Sequence, residues 1–548
     1  MERRMHRQRL DHGSHTQLSA VLALALTGCV GTQLMQLDNV DLHLPPADPR
    51  GNLRSELTTL FAQYERAPVL SPEDARLEPL LGALTTLSYF GAEVTPRVLD
   101  QQIPASADDR AHGQTLETSC AAFDTTSAEL GLATTGVPAF TPVWIPLATR
   151  GGLGPRSSHC DEHGQPSDDA TFCAFARLAL QPGQARSLIV VVHGLFDSGA
   201  QRYVQQMAAL LYRQGHSVLV PDMRDHGDTL RAAPTVATTL GNLEGLDVLG
   251  LVAAAREACG ARIGRAGVAG VSGGGLDAIR AFTLDQQASL DAGVIAVSPL
   301  LDVDAVVRDL SRTGSCPATT SIELGFWDDV ALGVACGLGF FAGAATVQGL
   351  SGHSLDANTA ISAGIGAGVG LVAGFVADAV LDGGSDPCVA NNMISHIVND
   401  ALHVRWRTLR KESLGQTLSP AGRRIAPEQS TLEDYVRERV NFRASQLRFA
   451  LQRFDAASLA HELRSALQPR ARSGGRLLVL GADDDPMTRK AAFDTFRAHS
   501  RGLAQLYVHS VRHGGHAAMW VVQPTVMEAI FQRFFSGSEA RGAQRVSP

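Results

Sequence analysis

The sequence predicts an α/β fold, a mostly parallel central sheet with helices on both faces, and three stretches carry that prediction. Residues 187–192 (S-L-I-V-V-V) form an apolar, largely β-branched run that ends in His193-Gly194. A second run closes at Gly270-Val271-Ser272-Gly273-Gly274 and opens a helix-like segment. A third, residues 476–480 (R-L-L-V-L), is followed by Asp483, Asp484 and Asp485; then 506–511 leads into His513-Gly514-Gly515-His516. Short apolar runs bounded by turn residues and alternating with helical patterns read as buried strands of a βα repeat.

The remaining elements follow in order. Entry strands are expected near 143–147 and 175–180, joined by a loop. After the His193-Gly194 turn come a helix over 202–215, a strand at 217–220 and the turn Pro221-Asp222-Met223-Arg224-Asp225-His226-Gly227-Asp228. A further strand covers 293–297. Asp222, Asp225, His226 and Asp228 could be grouped as metal ligands, but they are expected instead to tie the loop to its neighbours.

Gly270 and Gly274 flank Ser272 in a G-x-S-x-G pattern. Glycine on both sides permits a strained strand-to-helix turn that lifts a serine hydroxyl above the sheet and aims helical N–H groups at it. Ser272 is therefore the candidate nucleophile. The order strand, H-G loop, helix, strand, D-x-R-x-H-G turn, helix and elbow resembles the N-terminal half of the α/β-hydrolase superfamily. That resemblance implies an oxyanion hole made by the backbone amides of Leu195 and Gly273. It also implies an acid after the penultimate strand and a histidine after the last, in the chain order Ser272, Asp485, His516. Asp485 is preferred because D-P after such a strand matches the family turn, with Asp484 next and Asp302 as a third candidate at a different strand end. His516 is preferred over His513, which is read as a polar neighbour.

Within the superfamily, H-G-L-F-D-S-G with Tyr203-Val204, R-D-H-G, Glu433-Asp434-Tyr435, D-D-P and G-G-H resemble the branch of medium-chain fatty-acid ester hydrolases and ester synthases. Two departures stand out. Phe196-Asp197 replaces the family's second Gly-rich step, and a long Gly-rich insertion separates elbow from acid. The resemblance implies cleavage of carboxylic esters, acyl-chain esters foremost, through an acyl-enzyme, with a small-molecule or lipid ester as partner and no cofactor or metal.

The N-terminus bears on location. Arg3, Arg4, Arg7 and Arg9 precede a short apolar core at 18–26 and Leu26-Thr27-Gly28-Cys29, which resembles a bacterial lipoprotein signal peptide. The resemblance implies cleavage before Cys29, its lipidation by acyl chains such as palmitate, and anchoring to the cell envelope. Val30 after the cysteine favours the outer membrane. Lipid chains gain about 0.8 kcal/mol per buried CH2, so several of them hold a protein on a bilayer.

The 548 residues carry a formal net charge of −8, which argues against nucleic acid as a partner. Eight cysteines are present; in an oxidising compartment Cys160 and Cys173 are the first expected disulfide, and Cys316 with Cys388 or Cys336 another. Domain limits are set at 1–28 (signal), 29–138 (tether and helical region, with patterns near 53–64 and 77–89), 139–301 (first half of the sheet), 302–472 (helical cap insertion) and 473–548 (second half).

Within the insertion, 330–350 and 361–380 are apolar and Gly/Ala-rich, with Gly366, Gly370 and Gly374 at four-residue spacing suited to close helix contact. A packed hairpin in the cap is preferred to one that enters a membrane. The amphipathic stretch 428–467 is read as contact between cap and sheet. Two other readings stand beside the enzyme: a non-catalytic envelope binding or scaffold protein that keeps the fold, and a membrane-inserting protein built on the hairpin.

Overall fold

The computed structural model describes residues 52–66, 113–126, 140–182, 186–311, 432, 435, 455–467 and 475–536. The expected signal segment with Cys29, the pattern near 77–89, the Gly-rich pair at 330–380, Cys316, Cys336 and Cys388 lie outside these residues.

Nine strands form one sheet: β1 (Gln114–Thr115), β2 (Thr141–Ala148), β3 (Thr171–Ala179), β4 (Arg186–Val192), β5 (Ser217–Pro221), β6 (Ile263–Val271), β7 (Gly293–Val297), β8 (Leu477–Ala482) and β9 (Leu506–Val511). Their spatial order is β1-β2-β3-β5-β4-β6-β7-β8-β9. β3 runs antiparallel to both β2 and β5, and from β5 through β9 every pairing is parallel. This is the α/β-hydrolase arrangement, with the strand order exchanged once at β4 and β5.

The continuous apolar runs have a physical reason. Along β4, Leu188, Val190 and Val192 enter one core while Ile189 and Val191 enter the other. β8 divides the same way, with Leu477 and Val479 on one face and Leu478 and Leu480 on the opposite one. A strand buried on both faces cannot alternate apolar with polar residues.

The helices are α1 (Leu53–Tyr64), α2 (Leu116–Thr126), α3 (Arg202–Arg213), α4 (Gly227–Ala232), α5 (Glu244–Cys259), α6 (Gly273–Leu284), α7 (Val303–Ser311), α8 (Ala456–Leu467), α9 (Lys490–His499), α10 (Met519–Val522) and α11 (Pro524–Ser536). One core lies under α5, α6, α7, α8 and α9; the other lies under α1, α3 and α11. None of the described helices is long and apolar enough to cross a membrane.

The described parts of the N-terminal region pack against the sheet. Within 29–138, β1 pairs with β2 and so extends the sheet. Leu53, Leu57, Leu60, Phe61 and Tyr64 of α1 enter the same core as α11. Phe61 stacks on His509 of β9 with ring centroids 3.7 Å apart, so α1 covers one edge of the sheet. Cys120 on α2 is disulfide-bonded to Cys259 at the end of α5, and Cys160 is bonded to Cys173. The Cys120–Cys259 link was not anticipated, because its partners stand 139 residues apart.

Candidate active site

β6 ends at Val271 and α6 begins at Gly273, leaving Ser272 as the hinge with φ 56° and ψ −119°. A non-glycine residue at positive φ costs roughly 1–2 kcal/mol, which the surrounding framework must hold. Ser272 N–H donates to Val297 O at 2.9 Å, and its carbonyl accepts from Leu276 N–H at 3.1 Å. Both flanking glycines are required by space. A Cβ on Gly270 would strike the carbonyl of Gly274, and one on Gly274 would strike the carbonyls of His193 and Val192.

Ser272 Oγ lies 2.8 Å from His516 Nε2, and His516 Nδ1 lies 3.0 Å from each oxygen of Asp485. The residues come from the ends of β6, β8 and β9, neighbours on one side of the sheet once β7 is counted between them. All three are buried: Ser272 is 5%, Asp485 6% and His516 1% exposed. Asp485 accepts Nδ1–H, which leaves Nε2 with its lone pair toward the serine hydroxyl. The carboxylate is itself fixed, because Oδ1 accepts from the amides of Met487 and Thr488, each at 2.8 Å. Thr488 Oγ1 donates to Pro299 O at 2.9 Å, tying the acid loop to the end of β7.

The three consecutive aspartates serve three ends. Asp483 Oδ1 accepts from Ser510 Oγ at 2.6 Å and faces Lys490 Nζ at 3.2 Å. Asp484 Oδ1 accepts from the amides of Gly514 and Gly515 at 3.0 and 2.8 Å, clamping the histidine loop onto the acid loop. Burial, more than any neighbour, raises its carboxyl above the usual range. His513 Nδ1 is 3.7 Å from Asp484 Oδ2 and does not approach Ser272 by hydrogen bond. Asp302 caps α7, accepting from Ala305 N–H at 3.0 Å. Asp484, Asp302 and His513 are thus outside the hydrogen-bonded group.

Leu195 and Gly273 lie side by side: a Cβ on Gly273 would lie 3.0 Å from Leu195 N. The Leu195 amide donates to no acceptor among the described residues, and the Gly273 amide, first in its helix, has no carbonyl a turn before it. Two undonated N–H groups beside the serine suit an anion.

Phe196 and Asp197 are each fixed by local contacts. Phe196 itself adopts φ 67°, the conformation glycine takes at low cost, and stands edge-on to Tyr435 at 5.3 Å and 90°. Asp197 accepts from Tyr203 Oη–H at 2.7 Å, and Tyr203 Oη accepts from Gly194 N–H at 2.7 Å, so the H-G loop is pinned to α3.

The D-x-R-x-H-G turn is equally committed. Asp222 accepts from Gly199 N–H and Arg177 through Oδ1, and from Asp228 N–H through Oδ2. Asp225 accepts from Tyr435 Oη–H at 2.7 Å, and His226 Nε2 accepts from Phe196 N–H at 3.0 Å. Among the described residues no group of three His, Cys, Asp or Glu could hold a metal ion.

With this geometry in view, comparison with known proteins gives likeness to solved structures alone. No family model matches the sequence, and no curated protein matches it. The fold is similar to the Pyrococcus furiosus esterase Pf2001, at 12% identity and TM-score 0.38, covering 73% of this chain and 93% of that one. It is similar to a Mycobacterium tuberculosis puromycin-hydrolyzing peptidase at 9% identity and TM-score 0.38, over 69% of this chain and 39% of that one. Est1E from Butyrivibrio proteoclasticus, with ferulic acid bound, matches at 12% identity and TM-score 0.30, over 68% of this chain and 96% of that one.

Sequence reasoning missed a contribution from α1. Tyr64, 2% exposed, donates its hydroxyl to His513 O at 2.9 Å, and Arg512 N–H donates to Glu65 Oε1 at 2.8 Å. The N-terminal segment therefore holds the loop that carries His516. Nothing local marks Tyr64 for this role, since it reads as one more apolar position of an amphipathic helix. Tyr64→Phe is expected to lower kcat about tenfold with KM changed less than twofold, because a lost buried hydrogen bond of about 1.4 kcal/mol is felt through the histidine's placement. Steady-state kinetics on the folded variant checks this; an unchanged kcat would assign Tyr64 to packing alone.

Proposed function

We propose that this chain is a serine hydrolase that cleaves carboxylic esters through an acyl-enzyme on Ser272. The observation that carries the reading is the unbroken chain from Ser272 Oγ through His516 to Asp485, set beside the amides of Leu195 and Gly273. His516 Nε2 takes the Ser272 proton as Oγ attacks the ester carbonyl. The oxyanion forms between the two amides, each contributing roughly 3–4 kcal/mol. Collapse expels the alcohol, which receives its proton from His516, and water attacks the acyl-enzyme by the same route in reverse. Asp485 holds the imidazole tautomer and stabilises the imidazolium.

Esters with acyl chains are the proposed substrates, on the resemblance of H-G-L-F-D-S-G, D-D-P and G-G-H to the medium-chain branch. An apolar recess lined by Leu195 and Gly273, and walled in part by Met223, Leu240, Leu276 and Leu300, supports that reading. Anchoring through a lipidated Cys29 in the cell envelope belongs to the same proposal and rests on residues 3–29.

One experiment addresses both parts. Membrane and soluble fractions of cells making the full chain, or a Cys29→Ser variant, are assayed with 4-nitrophenyl esters and the matching 4-nitroanilides. Ester turnover in the membrane fraction, moving to the soluble fraction in Cys29→Ser, is expected. Turnover of anilides without esters would overturn the substrate class; Cys29→Ser activity that stays in the membrane would overturn the lipid anchor.

A further inference from the structure

The recess next to Ser272 contains an acid that the hydrolytic chemistry does not use. Asp277 stands on α6 five residues after Ser272, roughly 7–8 Å along the helix at 1.5 Å per residue. It lines the same recess as Leu195 and Gly273, the two oxyanion amides. Its residue is only 8% exposed, and its carboxyl makes no hydrogen bond to any described residue. An acid this deep that receives no donor from the protein is poised to take one from an occupant of the recess. The helix itself has no need of it, since Leu276, Ala278 and Ile279 supply the packing.

The neighbouring acids are satisfied. Asp247 receives Arg224 on both oxygens, Nε at 2.5 Å and Nη2 at 2.8 Å. Glu244, also on the wall of the recess, accepts from Thr238 Oγ1 and Thr239 N–H through Oε1, and from Thr239 Oγ1 and Gly241 N–H through Oε2. All four of those donors are neutral groups. Arg224, whose charge reaches Asp277, is committed to Asp247. Among the described residues the wall of the recess thus combines the Asp277 carboxyl with a second acid, Glu244, and carries no Lys or Arg.

We infer that this recess is a subsite for a cationic group of the substrate, an ammonium carried a short reach from the scissile carbonyl and received by the Asp277 carboxyl. The inference rests on Ser272 being the nucleophile for its catalytic meaning, but not for the binding itself. Burial first, and then the charges of Glu244 and Asp247, push the Asp277 carboxyl well above the usual range while the recess holds no cation. An entering ammonium offsets that repulsion and supplies the missing donor. A plain alkyl chain does neither, and leaves the acid facing methylene groups.

The test uses pentylammonium and 1-pentanol, near-isosteric probes, titrated by calorimetry into the full chain carrying Ser272→Ala. Pentylammonium is expected to bind about tenfold or more tightly than 1-pentanol, the scale of one hydrogen bond to a charged group. Adding Asp277→Asn should bring the ratio of the two affinities to within about threefold of one. Adding Asp277→Leu should invert it, with 1-pentanol binding retained as proof of an intact recess. A ratio near one in the parent, or a ratio unaffected by Asp277→Asn, overturns the inference.

In parallel the wild-type protein is given the 4-nitrophenyl esters of 6-aminohexanoate and heptanoate. A tenfold preference for the amino ester in kcat/KM, lost in Asp277→Asn, places the subsite on the reaction path. Absence of turnover of both esters, with pentylammonium still bound through Asp277, would refute the hydrolase reading and leave the cation site standing.

Discussion

Ser272→Ala is expected to lower ester turnover by about 10^6-fold in kcat while the protein keeps its fold and its affinity for substrate, the scale on which a nucleophile's loss is felt. The hydroxyl is the only atom removed, and it is the one that His516 Nε2 addresses at 2.8 Å. Alanine fits the elbow no worse than serine, because both carry a Cβ at φ 56° and the retained contacts are backbone ones, from Ser272 N–H to Val297 O and from Leu276 N–H to Ser272 O. Residual rate over water should come from the Leu195 and Gly273 amides, which the substitution leaves in place. Kinetics on matched preparations checks this, and a loss under tenfold would remove Ser272 from the chemistry.

Asp485→Asn carries the second-largest expected effect, about 10^4 in kcat with geometry preserved. The Asn oxygen can keep the amides of Met487 and Thr488 that now reach Asp485 Oδ1 at 2.8 Å. Its NH2 then stands in the place of Oδ2, 3.0 Å from His516 Nδ1, and favours the tautomer in which Nδ1 accepts. The proton moves to Nε2, and the lone pair needed for the serine hydroxyl is gone. Asp484→Asn is the contrasting variant. Its oxygen can still accept from Gly514 and Gly515, and it never meets His516, so a loss below about tenfold is expected from a weakened clamp. The reverse ranking in kcat would transfer the acid's role to Asp484.

Much of this arrangement was legible in the sequence because it follows from chemistry that acts over a few residues. Strands β4, β7 and β8 are buried on both faces, so their runs are apolar without interruption. The elbow declares itself because Gly270 and Gly274 have no room for a Cβ. What stayed hidden depends on contacts between distant segments. Asp483, Asp484 and Asp485 are the same residue type in a row, and only the donors that face each one separate their roles. Tyr64 reaches His513 across 449 residues. β1 is two residues long, too short to show a period, and Cys120 finds Cys259 only once α2 and α5 are packed.

Covalent bonding of the Ser272 hydroxyl during turnover is read out by the mass and position of a fluorophosphonate adduct on the folded protein. The expected result is one added phosphonyl group, located by peptide mapping at Ser272 and absent from Ser272→Ala. An unmodified folded protein, or an adduct on another serine with Ser272 untouched, would contradict it.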